Sequence, residues 1–487
     1  MQTKINLLKQ QGYIHYLIAL VIGIVLAFAV QPVNGLTREG VMVVSILVPT
    51  LYLWLTTNTH WTSLLFLGML VMTQVMHPYD VWRNSIGHFA VITLIVFMLL
   101  NQCLKETGVI DKIASWFITR KFVYGRPYVF LAMFFASNLV VGMFMENLSL
   151  AIIYIGIATV LCEKIGVRRG HSLYTCIMLG TLWGNCILSI ASPIAKALPN
   201  ILIGVAHTQL GITITYAQWF MAGIPFTVVM FAVLMLCVRI FKPDVAPLQS
   251  FDLDEFKRND PPLGACGKIA ALVMILVIMA IMLPEIFVAA GVFLTVGTYL
   301  TDIGVVVPAI LASALLCVIR VGGKAVMDLP QAAKGVPLPV LIFTGTVCLM
   351  SVPISAETTG ITAWLGNNLQ PLIAGMSPLA VIIALIAGAL VMTNFMSNVV
   401  TMMLFFNIGA ALLTVGEVNL AAFAVIIAFA ATMACCTPSA ALTSPLFFGP
   451  GHITMQNSIK YNLIFIALAF VVLVAFLIPF ASAVIRA

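Results

Sequence analysis

Long apolar runs, parted by short polar clusters, fill most of the chain. They fall at about 14–31, 41–56, 61–77, 88–103, 128–145, 147–163, 172–206 and 218–240. They resume at about 268–283, 303–319, 337–353, 378–396, 399–414, 420–450 and 462–484. A bilayer core needs roughly 20 residues of helix to cross it. Lipid offers no hydrogen bonds, so the backbone must satisfy itself as helix; the alternation of a membrane barrel is absent. The pattern predicts an all-α integral membrane protein of about eleven transmembrane helices. The stretch from Glu285 to Asp302 reads either as a connection or as a partial span.

Two pairs of runs, 128–163 and 378–414, are too short to cross twice with a proper loop between. They predict two re-entrant hairpins, with tips at Glu146-Asn147 and Ser397-Asn398. Two longer runs are broken by polar residues and proline. In 172–206 the breaks are Ser192-Pro193 and Lys196; in 420–450 they are Thr437-Pro438 and Ser444-Pro445. These predict helices unwound in mid-membrane, which is tolerated only where protein buries the backbone or it lines a wet cavity.

The chain also repeats itself. Glu106-Thr107-Gly108 matches Glu357-Thr358-Thr359-Gly360, and Pro127 matches Pro378. Phe144-Met145-Glu146-Asn147 matches Phe395-Met396-Ser397-Asn398, Thr181 matches Thr432, and Ser192-Pro193 matches Ser444-Pro445. One offset of about 251 positions, kept in order, points to an internal repeat, the mark of many transporter folds. Charge gives its sense. Lys112, Arg120, Lys121 and Arg126 follow the first Glu-Thr-Gly, whereas no Lys or Arg lies between Gly360 and Pro378. By the positive-inside rule the two stretches face opposite sides, so the repeats are of inverted topology. The N-terminus is then cytoplasmic and the C-terminus outside, in a multi-pass cell-membrane protein. Residues 1–241 form one half with its hairpin at about 126–163. A cytoplasmic linker covers 242–267, and residues 268–487 form the second half, with its hairpin at about 377–414.

Composition closes off other classes. Of 487 residues 62% are hydrophobic and 8% charged, against about 25% charged in soluble domains. The net charge of +7 fits basic cytoplasmic loops, and no basic patch stands apart as nucleic-acid binding would need. Ten cysteines lie mostly within apolar runs, without a Cys-x-x-Cys or a His/Cys metal spacing. The adjacent Cys435-Cys436 reads as packing. Lys4 and Lys9 precede a first run with no small-residue cleavage site, which predicts a retained span. Trp54, Trp61, Trp82 and Trp219 sit near run ends, as in an interfacial belt.

Nearly all charges lie at run ends, but Glu146 and Lys196 do not. A charge at the bilayer centre costs about 2.5–3.5 kcal/mol on insertion scales. Either Glu146 carries a proton or cation while Lys196 draws an anion, or the two form a structural ion pair. Asn147 and Asn398 occupy matched tips, where an amide caps a helix or binds a carboxylate. Ser192, Ser397, Thr437 and Ser444 are candidate polar linings, each also able to bond its own helix.

The order of runs, the segment Leu-Lys-Glu-Thr-Gly-Val-Ile-Asp-Lys-Ile-Ala-Ser-Trp at 104–116, the paired hairpins with Asn at the tip and the two proline-containing breaks resemble the divalent anion/sodium symporter family. The resemblance covers most of the chain. It implies eleven spans and two hairpins in a homodimer with a scaffold and a mobile transport part. It implies elevator-type alternating access for a di- or tricarboxylate or sulfate, with Na+ as coupling ion and no other cofactor. Asn147 and Asn398 carry over as substrate contacts, with Ser192, Ser397, Thr437 and Pro438 around them.

The signature is altered, however. The family's tips read Ser-Asn-Thr, and here they read Glu146-Asn147-Leu148 and Ser397-Asn398-Val399. The family's breaks read Thr-Pro-Pro-Asn-like, and here they read Ser192-Pro193-Ile194-Ala195-Lys196 and Thr437-Pro438-Ser439. An ammonium at Lys196 beside Glu146 would take the first sodium's place, which predicts exchange or proton coupling; no metal site is expected with assurance. The alternatives are a cation/proton antiporter or an oxyanion or sulfonate transporter of the same superfamily. A channel and an intramembrane enzyme stand further off, the latter because no His-Glu-x-x-His, membrane aspartate pair or Ser/His dyad is present.

Overall fold

The structure is a computed structural model describing residues 2–485, apart from 58, 119, 121–122, 124, 195, 250–261, 370, 372–374, 414–417, 439 and 442. Its helices run α1 (Gln2–Ala29), α2 (Arg38–Thr56), α3 (Thr59–Met72), α4 (Pro78–Asn84), α5 (Phe89–Glu106), α6 (Val109–Ile118), α7 (Pro127–Gly142) and α8 (Asn147–Lys164). They continue with α9 (Ser172–Ala191), α10 (Ala197–Leu210), α11 (Tyr216–Phe241), α12 (Ala246–Gln249), α13 (Ala265–Ala290), α14 (Leu294–Ile303), α15 (Val306–Val318) and α16 (Leu329–Ala333). The last are α17 (Leu338–Ser355), α18 (Ile361–Leu369), α19 (Pro378–Met392), α20 (Asn398–Leu412), α21 (Leu420–Ala431), α22 (Ser444–Phe448), α23 (Met455–Val472), a π-helical turn at Leu473–Leu477 and α24 (Ile478–Val484). Arg320–Val321 and Lys324–Ala325 pair as a small antiparallel hairpin, β1 and β2. Gly322 and Gly323 turn it at φ 58° and 81°, the left-handed values that such a two-residue turn requires.

The protein is an all-α, multi-pass membrane protein. By length and composition seven of the described helices can cross a bilayer, or eight if the bent pair α14–α15 counts as one. The expected hairpins and breaks fall where the pattern puts them. Pro127 and Pro378 open α7 and α19 at the first helical turn, where the missing N–H costs nothing. Chain reversals at 143–146 and 393–397 lead into α8 and α20. Helix α9 stops at Ala191 and α10 starts at Ala197. Helix α21 has 12 residues, about 18 Å at 1.5 Å per residue, so it ends short of a full crossing. Non-helical chain then runs to α22. Both halves therefore pass through the same order: long helix, short amphipathic helix, hairpin, broken helix.

The stretch after 283 is a difference. Helix α13 continues through Pro284 to Ala290 and ends on Gly291 at φ 70°. The following α14 and α15 bend by 74°. Proline removes one bond from a helix but does not end it when packing holds both flanks. Of the expected linker, 250–261 lie outside the described residues.

Burial sorts the elements. All of α21 and nearly all of α9 are buried, packed on each other and on α10, α11, α19 and α20. Helices α1 and α13–α15 keep large apolar side chains exposed, such as Phe28, Leu272 and Leu311, as lipid-facing helices do. Trp61 and Trp82 are exposed and fit an interfacial belt, but Trp54 and Trp219 are buried. Trp219 donates to the Ile190 carbonyl at 2.7 Å, helping to hold the end of α9. Gly223 of α11 adds to this, since a side chain there would collide with the Ala191 carbonyl.

Candidate functional site

Unwinding α9 after Ala191 frees carbonyls and amides that must find partners. Asn200, one turn into α10, takes most of the load. Its Nδ2 donates to the Pro193 and Lys196 carbonyls, both at 2.7 Å, and its Oδ1 accepts from the Tyr216 hydroxyl. Ser192 Oγ accepts from the Ile194 amide at 3.1 Å. These bonds hold the described part of the break and set Lys196 at the N-cap of α10 with 1% of its surface exposed.

The first hairpin tip meets this lysine. Lys196 Nζ donates to Asn147 Oδ1. Asn147 Nδ2 donates to Ser189 Oγ at 2.9 Å, and Asn185 Nδ2 donates to the Asn147 carbonyl at 3.0 Å. Asn185 and Ser189 lie four residues apart, on one face of α9. Glu146 turns its carboxylate onto its own helix: Oε2 accepts from the Leu148 and Ser149 amides at 2.8 and 3.2 Å. It is the N-cap of α8. Among the described residues no ion pair within 4.0 Å joins Glu146 to Lys196, although each lines the same cavity.

The second tip is built from neutral groups. Thr393 Oγ1 bonds Asn398 Oδ1 at 3.2 Å and the carbonyl of Ala431, the last residue of α21. Asn394 splints the unwound chain. Its Oδ1 accepts from the Cys435 and Cys436 amides at 3.0 and 2.8 Å, and its Nδ2 donates to the Leu390 and Met433 carbonyls. Thr437 Oγ1 donates to the Asn394 carbonyl. Asn462 of α23 donates to the Cys435 carbonyl at 2.7 Å and accepts from Trp183 Nε1 at 2.9 Å. Ser397 is the N-cap of α20 but makes no side-chain capping bond.

A cavity of about 100 Å³ lies between the two tips. Glu146, Asn147, Ser189 and Lys196 line it on one side, Ser397, Asn398 and Thr443 on the other. Met98 of α5 and Pro339, Val340 and Phe343 of α17 form an apolar wall. The structure thus gathers Glu146, Asn147, Lys196, Ser397 and Asn398 around one space. Ser192, Thr437 and Pro438 are not among its lining: Ser192 accepts from the Ile194 amide of its own break, Thr437 donates to the Asn394 carbonyl of the second tip, and Pro438 is exposed. Ser439 lies outside the described residues. Sequence reasoning passed over Ser189, Asn185, Thr393 and Asn394; the signal was a spacing of four between Asn185 and Ser189 and between Asn394 and Asn398, with Thr393 next to Asn394. Among the described residues no cluster of His, Cys, Asp and Glu could hold a metal ion.

The chemistry open to the cavity is anion recognition. It offers an ammonium with N–H groups to spare, the amide of Asn398, and the N-termini of α10 and α20, where free backbone N–H groups and the helix dipole favour negative charge. Comparison with known proteins agrees. A sequence profile described as citrate transporter matches residues 41–432. A sodium-dependent dicarboxylate transporter of Staphylococcus saprophyticus is 25% identical over 471 residues, covering 92% of this chain and 88% of that protein.

Proposed function

The chain belongs to the citrate transporter family, among the divalent anion/sodium symporters, and from that premise we propose that it moves a di- or tricarboxylate by elevator-like alternating access, coupled by exchange or by protons rather than by sodium. The observation that carries this is the buried Lys196 ammonium on Asn147 Oδ1. A cation tethered to the protein fills the first tip, so no free cation need enter there with the substrate. The cavity's position supports the elevator: its polar side belongs to the hairpins and broken helices, and its apolar wall to α5 and α17. On this reading hairpins and broken helices are the mobile part, related by the inverted repeat, and a homodimer of the remaining helices is the fixed part.

A second reading keeps sodium at the other tip. Asn398 Oδ1 and the Ala431 carbonyl converge on the Thr393 hydroxyl, an all-oxygen set that suits a hard cation. The sodium dependence named for the staphylococcal relative favours it. When bound there, the ion would supply positive charge beside the substrate, held by Thr393, Asn398 and Ala431.

Radiolabelled succinate uptake into proteoliposomes separates the two. Uptake that needs internal succinate and ignores a sodium gradient is the expected result. Accumulation driven by sodium alone would remove exchange and support the second tip as the coupling site. Absence of uptake under every condition would turn the search to sulfonates and other oxyanions.

A further inference from the structure

The first tip puts a carboxylate into a cavity built for anions. Glu146 and Lys196 are the ionisable groups among its lining residues, and their charges cancel. The elements around them add none there. Helices α7, α9, α17, α20 and α22 carry no Asp, Glu, Lys, Arg or His. Those of α5, α8 and α10 sit in their last turns, at Lys105, Glu106, Glu163, Lys164 and His207.

Glu146 Oε2 takes two of the free amides at the start of α8, those of Leu148 and Ser149. That N-terminus is therefore spent on the chain's own carboxylate, whereas the start of α20 stays open. What remains for a ligand is the charge-neutral pair, the Asn398 amide and the open starts of α10 and α20, each about half a positive charge. These suit one full negative charge. Glu146 lines the cavity half-buried, and its Oε1 accepts no hydrogen bond among the described residues, so it is free to accept from a donor on a ligand. A second ionised carboxylate cannot donate and would be repelled. A protonated one can.

We propose that Glu146 makes the site select the singly charged form of its substrate, with one carboxylate ionised toward Lys196 and Asn398 and the other protonated, its O–H donating to Glu146 Oε1. This names the ionic species within the carboxylate reading above and rests on it. The proton travels on the substrate, so no separate coupling ion is required.

The test is exchange of radiolabelled succinate in proteoliposomes held at equal pH on both sides. Well above the diacid's second pKa, which the first carboxylate's charge raises over the ordinary carboxylic value, the monoanion fraction rises about tenfold per pH unit lost. The apparent KM of the wild type should fall by about that factor from pH about 7.5 to about 6.5. Succinamate, with one permanent charge and an amide N–H in place of the acid O–H, should inhibit equally at both pH values. Glu146→Gln keeps an oxygen for the helix cap but can also donate. Its KM should be flat with pH, and its preference for succinamate over succinate at the higher pH should fall about tenfold or more. A flat wild-type KM with robust exchange, or equal slopes in wild type and variant, overturns the inference alone. Should Glu146→Gln fail to fold, the wild-type slope and the succinamate inhibition still decide. No exchange by the wild type at any pH overturns the carboxylate reading and this inference with it.

Discussion

The two hairpin tips occupy matching places in the chain and solve the same problem by different chemistry. Each must end a helix pair inside apolar surroundings and present an asparagine to a cavity. The first does so with charge: a glutamate caps α8 and a lysine satisfies Asn147. The second does so with neutral groups: a threonine hydroxyl satisfies Asn398, and the start of α20 is left uncapped by its serine. The same geometry can therefore carry its own ions in one half and leave room for a ligand's charge in the other. On the exchange reading proposed above, Lys196 takes the place of one bound ion while the fold stays intact.

The largest expected effect lies where the neutral tip bears the fold. Asn394→Ala strips partners from the Cys435 and Cys436 amides in buried chain. An unsatisfied buried group costs about 1–3 kcal/mol, so the loss should be about 2–6 kcal/mol. It would be read as a lowered melting temperature in detergent. The corresponding residue of the first tip is Met143, half-buried and without such bonds, and Met143→Ala should cost distinctly less. Equal losses would mean that the second break is not held by Asn394.

Next comes the ion of the first tip. Lys196→Ala removes a hydrogen bond from a charged donor, worth about 1.5–3 kcal/mol. Succinate affinity should fall by roughly 10- to 150-fold. Sodium should partly restore transport, since Asn147 Oδ1 would then face an empty place. An alanine variant as active as the wild type, with or without sodium, would break the contrast between the tips.

The sequence exposed the hairpins and breaks because polar residues at their tips interrupt otherwise apolar runs. It exposed Asn147, Asn398, Glu146 and Lys196 for the same reason: charge or amide in mid-run is conspicuous. Thr393 and Asn394 were hidden beside a more conspicuous neighbour, and Asn185 and Ser189 within a helix that reads as plain span. Ser192 and Thr437 looked like lining because they sit at breaks. Backbone carbonyls and amides, however, claim these hydroxyls first, Ser192 within its own break and Thr437 at the Asn394 carbonyl of the hairpin tip. The reach of α13 past Pro284 was equally illegible, because whether a proline ends a helix depends on the packing of both flanks.

A smaller effect separates the caps themselves. Glu146→Ala removes the acceptor for two amides, and loss of an N-cap side chain costs about 0.5–2 kcal/mol. Ser397→Ala removes a side chain that caps nothing and should change stability by a few tenths at most. Denaturation of both variants in one detergent checks the difference. A Ser397→Ala loss as large as that of Glu146→Ala would mean that the second tip is capped after all.

The smallest effect tests whether the two halves are tied beyond the cavity. The loop after α22 bonds back to the first half: Arg169 Nη1 donates to the Pro450 carbonyl at 2.8 Å, and the Tyr174 hydroxyl meets His452 Nδ1 at 2.6 Å. Burial, and then the nearby Arg169 guanidinium, lower the His452 pKa below its ordinary 6.5. The folded protein thus binds a proton at His452 less readily than the unfolded chain does. Its contribution is complete above pH 6.5 and is lost as acid charges the imidazole. Both ring nitrogens of a charged imidazole are donors, so Nδ1 can then no longer accept from a hydroxyl. Melting of the wild type should fall from pH about 7.5 to about 5.5 by more than that of His452→Gln, a difference worth about 1 kcal/mol or less. Parallel pH profiles would show that this loop is not what ties the second broken helix to the start of α9, and would leave the direct packing of α9 on α21 and the Trp183–Asn462 bond as their junction.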